Sequence, residues 1–180
     1  MKICIDPGHG GTDPGAVNAR TGHREKDVVL AIGLLLQDRL NAAGHKVVMT
    51  RDTDVFVPLI ERALFANADG SALFLSIHAN SHVNDAEGIE TFHFPGSSTG
   101  AVFAGAVQSE MMRTFPTHKN RGVKTAEFAV LKHTRMTSAL AETEFISNDR
   151  QARALADPAV QARYADAFAK AIARYEAFRR

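Results

Sequence analysis

The sequence predicts an α/β fold, a three-layer sandwich in which helices cover both faces of a mostly parallel sheet. Short apolar runs of strand length alternate along the chain with segments of helical length. The apolar runs end in glycine, proline or polar residues, which are typical of the turns that follow buried strands. The chain contains no internal repeat or low-complexity tract. We therefore expect the alternating segments to build one α/β unit.

The first 80 residues contain three apolar runs that predict buried strands. The two segments between these runs have the length of a helix, and Pro58 suits the first turn of the second one because that turn needs no amide donor. The predicted elements are, in order, a strand at residues 2–6, a loop at 10–24, a helix at 27–40, a strand at 46–50, a helix at 58–68 and a strand at 72–77.

The second half of the chain ends in the clearest helix of the sequence. Asp157 is a favourable N-cap residue, and Pro158 suits the first turn. Large residues then recur at helical spacing on one face, which predicts core packing: Val160, Tyr164, Phe168, Ile172 and Tyr175. Ahead of this helix, the pattern predicts strands at residues 88–94, 128–131 and 138–142 and a helix at 100–115.

The composition restricts the class of protein. The chain has 180 residues, of which 45% are hydrophobic and 23% are charged, and its formal net charge is +1. These values are typical of a single globular domain, here residues 1–180, and they do not favour binding to nucleic acid. The single cysteine, Cys4, excludes an intramolecular disulfide. Since we find neither a signal peptide nor an apolar stretch for membrane insertion, we expect synthesis in the cytoplasm, and we expect a monomer.

Two histidines directly follow predicted strands. His9 lies in a glycine-rich turn after the first strand, and His78 ends the strand at 72–77. Because ligands of open α/β sheets bind outside the carboxyl ends of the strands, the two histidines could converge there. Taken alone, His9 could equally be a bystander in its loop, and His78 is better explained as a solvated residue at the end of a strand.

Two glutamates extend this pattern. Glu25 lies at the start of the first helix, where a negative charge also interacts favourably with the helix dipole. Together with His9 and His78 it forms a His2Glu set, which zinc hydrolases use while leaving a fourth position for water. Glu142 ends the strand at 138–142 and could accept and return a proton beside such a water. The ligands are distant in sequence, so this pattern is weaker than a compact helical zinc motif.

Several motifs in one order make the chain resemble the zinc-dependent N-acetylmuramoyl-L-alanine amidases of the amidase-3 type, which occur as phage lysins and as bacterial autolysins. The matching segments are IDPGHGG at residues 5–11, EKD at 25–27, TRDTD at 50–54, LIERALFAN at 59–67, SIHAN at 76–80, FAVL at 128–131 and ETEFISN at 142–148.

The resemblance implies a peptidoglycan substrate, in which the bond between N-acetylmuramic acid and L-alanine is hydrolysed. It implies one Zn²⁺ ion held by His9, Glu25 and His78, with Glu142 as the catalytic residue. It also implies a twisted sheet of about six strands flanked by helices. The protein would act on the cell wall, after release by phage lysis or as a domain excised from a secreted enzyme.

Two departures from the family bear on the site. Glu144 stands where the family usually has glycine. We expect its side chain to point into solvent; the alternative is that Glu142 and Glu144 share one face of a strand and raise each other's pKa. The segment at 78–94 is too short for the inserted helix that blocks the zinc in some family members, which implies an open, constitutively active site.

Two other functions remain as alternatives. A zinc peptidase that cuts within the stem peptide would use the same metal chemistry, and a non-catalytic peptidoglycan-binding module would not need a base at Glu142. Among the remaining polar residues, we expect Arg51 and Arg62 to form structural ion pairs with the acids around them, Asp52, Asp54 and Glu61. We also expect Asn80 to contact substrate, Ser147 to cap a following helix, and His118 to lie on the surface.

Overall fold

The computed structural model describes residues 1–83 and 86–179, and within these ranges six strands form one sheet. The strands are β1 (Lys2–Pro7), β2 (Lys46–Met49), β3 (Leu73–Asn80), β4 (Ile89–His93), β5 (Asn120–Thr125) and β6 (Thr137–Phe145). Their order across the sheet is β2-β1-β3-β6-β4-β5. Neighbouring strands are parallel except for β4 and β6, which are antiparallel.

Six helices in the described ranges cover the two faces of the sheet. They are α1 (Glu25–Ala42), α2 (Leu59–Asp69), α3 (Ser98–Thr114), α4 (Ala129–His133), α5 (Asp149–Ala156) and α6 (Pro158–Phe178). Buried side chains of α1, α3 and α6 share one core with the first face, and those of α2 and α4 share a smaller core with the second face. The predicted three-layer α/β fold with a mostly parallel sheet is therefore confirmed.

Alternating side chains of the strands enter the two cores. Ile3 and Ile5 of β1 belong to the larger core, whereas Cys4 between them belongs to the smaller one. A parallel strand that is covered on both faces needs apolar residues at successive positions, which explains the uninterrupted runs in the sequence. Burial also raises the pKa of the Cys4 thiol, so this cysteine is an unreactive core residue.

Helix α6 forms as the sequence predicts. The Asp157 side chain accepts a hydrogen bond from the amide of Ala159, and Pro158 occupies the first turn. Tyr164, Phe168, Ile172 and Tyr175 are buried in the larger core, while Val160 packs against its edge. An N-cap of this type contributes about 1 kcal/mol.

Two elements differ from the prediction. Residues 128–131 were expected to form a strand, but they lie in α4, a five-residue helix whose Val130 and Leu131 are buried. A short apolar run fits either a strand or one buried turn of helix, and here it covers the smaller core. Strand β5 was not predicted, because its sequence NRGVKT lacks an apolar face. It is an edge strand and is largely exposed, so the usual periodic signal is weak.

The pairing of β3 with β6 contains an irregularity that affects the site. His78 lies opposite Glu142, but Asn80 lies opposite Phe145, so β6 has one extra residue at this point. A bulge of this kind reverses which face the following side chains occupy. Glu142 and Glu144 therefore point to opposite faces of the sheet.

The connection between β3 and β4 is short. Its described residues, 81–83 and 86–88, are not helical, and residues 84 and 85 lie outside the described ranges. The expectation that no inserted helix occurs at 78–94 thus falls partly on residues that the structure does not describe. None of the described helices combines the length and the apolar content required to cross a membrane.

Candidate active site

His9 occupies the turn after β1 in an unusual backbone conformation. Its φ is 60°, and it is the one non-glycine residue with positive φ among those described. This conformation costs about 1–2 kcal/mol and persists only where neighbouring groups enforce it. Arg62 Nη2 donates to the His9 carbonyl at 2.6 Å, and the backbones of Gly10 and Asp13 pair with each other. The fold thus holds the His9 imidazole in one direction.

The three residues predicted as metal ligands converge at the carboxyl ends of β1 and β3. Glu25 is the first residue of α1, and its Oε1 lies 3.1 Å from His9 Nε2 and 2.9 Å from His78 Nδ1. The amides of Ala16 and Ala79 donate to the two Glu25 oxygens at 2.9 and 3.0 Å. One potential ligand atom from each of the three residues lies within 4.8 Å of the other two.

The chemistry of this group suits a zinc ion. His9 Nδ1 lies 2.8 Å from Asp13 Oδ2, an arrangement that would hold a proton on Nδ1 and leave Nε2 to bind a metal in place of its proton. Burial disfavours a charged Glu25, but hydrogen bonds from His78 and His9 outweigh this effect and hold its pKa below the usual range. The site therefore offers an ionised carboxylate and two imidazoles, which are common zinc ligands.

Glycines leave the space that these side chains occupy. A Cβ at Gly8 would lie 2.2 Å from His78 Cε1, and one at Gly15 would lie 2.6 Å from His9 Cδ2. Both distances are far below a normal contact, and the ring of His78 and the ring of His9 cannot move without leaving the site. Glycine at positions 8 and 15 thus follows from their close approach to the two imidazoles.

Two buried arginines hydrogen-bond to the backbone of the turn after β1. Arg62 pairs with Asp6 at 3.0 Å and also donates to the Pro7 carbonyl, whereas Arg51 donates to the carbonyls of Pro7 and Gly8. Their structural role was expected, but the expected partners were wrong. Asp52, Asp54 and Glu61 do not pair with them in the described residues, and Arg51 mainly binds backbone carbonyls.

Glu142 lies beside the converging ligands. It is opposite His78 in the pairing of β3 with β6, and its Oε2 is buried without a hydrogen-bond partner among the described residues. Burial, followed by the charges of Glu25 and Glu90, raises the pKa of Glu142 well above its ordinary value. A carboxyl group with a raised pKa is suited both to accept and to donate a proton in general acid–base catalysis.

Glu90, on the strand next to Glu142, is a further polar residue of the site, and it was not predicted from the sequence. Glu90 of β4 lies opposite Glu142, and it accepts hydrogen bonds from Arg121 at 3.0 Å, from Lys124, and from Asn80 at 2.5 Å. Burial opposes ionisation of Glu90, but the hydrogen bonds from Lys124 and Arg121 lower its pKa. Because alternate residues of a strand share a face, Glu90 lies on the same face of β4 as the apolar Phe92. A carboxylate beside an apolar residue on one strand face was the sequence signal that could have identified Glu90.

The expected solvent position of Glu144 is wrong. Its side chain is buried, accepts a hydrogen bond from the amide of Gly88 at 3.0 Å, and has Oε1 2.5 Å from His118 Nδ1. Burial raises its pKa, although Gly88 and His118 oppose the rise. His118 is consequently half-buried rather than a surface residue. The two residues line a cavity of about 320 Å³ on the face opposite Glu142.

The N-cap of α5 also differs from expectation. Asn148, not Ser147, caps this helix, because the Asn148 side chain accepts hydrogen bonds from the amides of Arg150 and Gln151. Ser147 Oγ instead accepts a hydrogen bond from the amide of His82 at 3.1 Å. Ser147 therefore tethers the connection that follows β3.

Comparisons with known proteins identify the family of this chain. Residues 3–174 match the family model described as N-acetylmuramoyl-L-alanine amidase. The chain is 39% identical over 173 residues to N-acetylmuramoyl-L-alanine amidase LytC of Bacillus subtilis (strain 168), which covers 94% of this chain and 34% of LytC. It is 38% identical over 161 residues to an endolysin of Bacillus phage SPP1, covering 85% of this chain and 58% of the endolysin.

A solved structure shares the whole architecture. N-acetylmuramoyl-L-alanine amidase AmiC2 of Nostoc punctiforme superposes with a TM-score of 0.93 at 37% sequence identity, and the match covers 98% of this chain and 97% of that one. The family model matches well over half of the chain, and the shared fold extends over nearly all of it. The chain therefore belongs to the N-acetylmuramoyl-L-alanine amidase family.

Proposed function

We propose that this protein hydrolyses the amide bond between N-acetylmuramic acid and L-alanine in peptidoglycan, with one zinc ion held by His9, Glu25 and His78. The observation that carries the proposal is the convergence of these ligand atoms beside the unpartnered carboxylate of Glu142. A domain that only binds peptidoglycan has no need of a carboxyl group with a buried, unpartnered oxygen at this position, since such an oxygen is costly to bury.

The proposed mechanism assigns a defined task to each group. Bound zinc would supply a Lewis acid and lower the pKa of an attacking water. Glu142 accepts the proton of that water and then donates it to the departing nitrogen of L-alanine. The raised pKa of Glu142 suits both halves of this transfer. Asp13 keeps the His9 ring in one orientation throughout, because it holds Nδ1 at 2.8 Å.

The relatives support the proposed setting. The matched proteins include an amidase of a bacterium and an endolysin of a phage, and we propose that this protein likewise acts on the cell wall, as a monomer. Two routes to the wall fit the proposal: release after phage lysis, or secretion as part of a larger enzyme.

Analysis of the newly formed ends of purified peptidoglycan tests the reaction. We expect wild-type protein to release peptides with free L-alanine amino termini and to leave the glycan chains intact. Glu142→Gln should release these peptides at least about 10²-fold more slowly. New amino termini at other stem residues would instead support the zinc peptidase, and binding to the wall without cleavage by wild type would support the binding module.

A further inference from the structure

We propose that Arg121 and Lys124 on β5 bind a carboxylate of the stem peptide and make the enzyme prefer an acidic stem to an amidated one. The inference rests on the proposed function, because it concerns the peptide that follows the scissile bond. The residue after L-alanine in the stem carries either a free α-carboxylate or, in amidated walls, a neutral amide. These two forms have nearly the same shape and differ in charge.

The position of the two cations follows from the register of the sheet. His78 lies opposite Glu142, Glu142 opposite Glu90, and Glu90 opposite Gly122 of β5. Adjacent strands are about 4.8 Å apart, so β5 lies roughly 10 Å from β6. An extended peptide advances about 3.5 Å per residue, and lysine and arginine side chains shorten the remaining gap. The second residue of a stem peptide held at Glu142 is thus within reach of the Arg121 and Lys124 side chains.

The charges around this row also favour an anionic ligand at β5. Arg121 and Lys124 share the single carboxylate of Glu90, and two cations on one anion leave one positive charge in excess. An acidic peptide that reaches this edge of the sheet would be attracted by that excess charge. A surplus cation beyond Glu90 provides the attraction that such a peptide needs.

The two cations are held in place yet remain accessible. The Glu90 side chain is only 5% exposed, whereas those of Lys124 and Arg121 are 41% and 28% exposed. The Arg121 guanidinium lies 4.9 Å from the centre of the Phe145 ring, and the Lys124 ammonium lies 5.9 Å from that of Phe92. Aromatic faces attract cations at these distances. These contacts already restrict the two side chains, so they would lose less conformational entropy when a carboxylate binds.

Two synthetic muropeptides that differ only in this group test the proposal. One carries the free α-carboxylate on the residue after L-alanine and the other carries the α-amide. For zinc-loaded wild type we expect kcat/KM to be at least about tenfold higher on the acid, as for a charge-assisted hydrogen bond. Lys124→Gln should lose most of this preference by slowing only the acid. Lys124→Arg should retain it, and Lys170→Gln, on the exposed side of α6, should match wild type.

A second readout does not depend on catalysis. Calorimetry with the dipeptide products should show tighter binding of the acid than of the amide to wild type, and equal binding to Lys124→Gln. An equal loss of kcat/KM on both substrates, or no preference in wild type, would overturn the proposal and leave the cations a structural role. If wild type cleaved neither substrate, the proposed function would fail, and the calorimetric preference would still decide the role of Lys124.

Discussion

At the scale of single residues, Glu142 combines a cost to stability with a use in catalysis. Its Oε2 is buried without a hydrogen-bond partner among the described residues, and its pKa is raised by burial and by two neighbouring carboxylates, Glu25 and Glu90. Such a group destabilises the folded chain, as active-site residues often do.

Replacing Glu142 should therefore separate activity from stability. We expect Glu142→Gln to lower kcat about 10²- to 10⁴-fold, the usual contribution of a positioned acid–base residue. The melting temperature should stay the same or rise, because the amide is neutral. Glu127→Gln, which changes an exposed carboxylate paired with Lys132, is the matched control and should alter neither quantity. Retained activity, or a clear loss of stability in Glu142→Gln, would contradict the assigned role.

Glu144 provides a test of pH dependence. Burial raises its folded-state pKa above the unfolded value, so the folded state holds this proton more tightly. The resulting stabilisation is complete below the unfolded pKa and is lost as pH rises through the folded pKa. Between about pH 4 and pH 6, below most histidine deprotonation, wild type should lose stability relative to Glu144→Gln. Urea midpoints of both proteins measure this difference, and a constant difference across the range would refute the raised pKa.

At the scale of elements, the turn after β1 depends on buried arginines from other parts of the chain. Arg62 is almost fully buried and neutralises Asp6, while it also holds the carbonyl of His9. Removing one partner of a buried pair leaves the other charge uncompensated. The geometry of the metal site thus depends on α2, which contributes no ligand.

We expect Arg62→Met to lower the free energy of unfolding by about 3–5 kcal/mol, measured by urea on the metal-free protein. The matched control is Arg20→Met, because Arg20 is 82% exposed and its pair with Asp149 is a surface one. That change should cost less than about 1 kcal/mol. A similarly small loss of stability in both variants would show that another group compensates the charge of Asp6 when Arg62 is absent.

The elements also show what the sequence could and could not predict. His9, Glu25 and His78 could be grouped because strong strand and helix signals precede or follow each of them. Arg121 and Lys124 could not be placed, because β5 is an exposed edge strand with no apolar face. A regular strand would have placed Glu144 on the face of Glu142, and a bend would have turned it into solvent. Neither alternative included the bulge opposite His78 and Asn80, because a bulge depends on strand pairing that no local pattern encodes.

At the scale of the whole molecule, the sheet gathers ligands from distant parts of the chain at one edge. β1 and β3 are neighbours, so His9 and His78 meet although 69 positions separate them, and α1 supplies Glu25 between them. This placement follows from the parallel topology, in which the carboxyl ends of strands share an edge. The extent of the domain, residues 1–180, stays a prediction.

Zinc titration of metal-free protein tests the central claim most directly. Release of peptides with L-alanine amino termini would be followed as zinc is added to stripped wild type and to His78→Ala. We expect no release without metal, a rise that saturates at one zinc ion per chain in wild type, and no recovery in His78→Ala. Full activity of the stripped protein, or equal recovery in both proteins, would contradict a zinc centre formed by His9, Glu25 and His78.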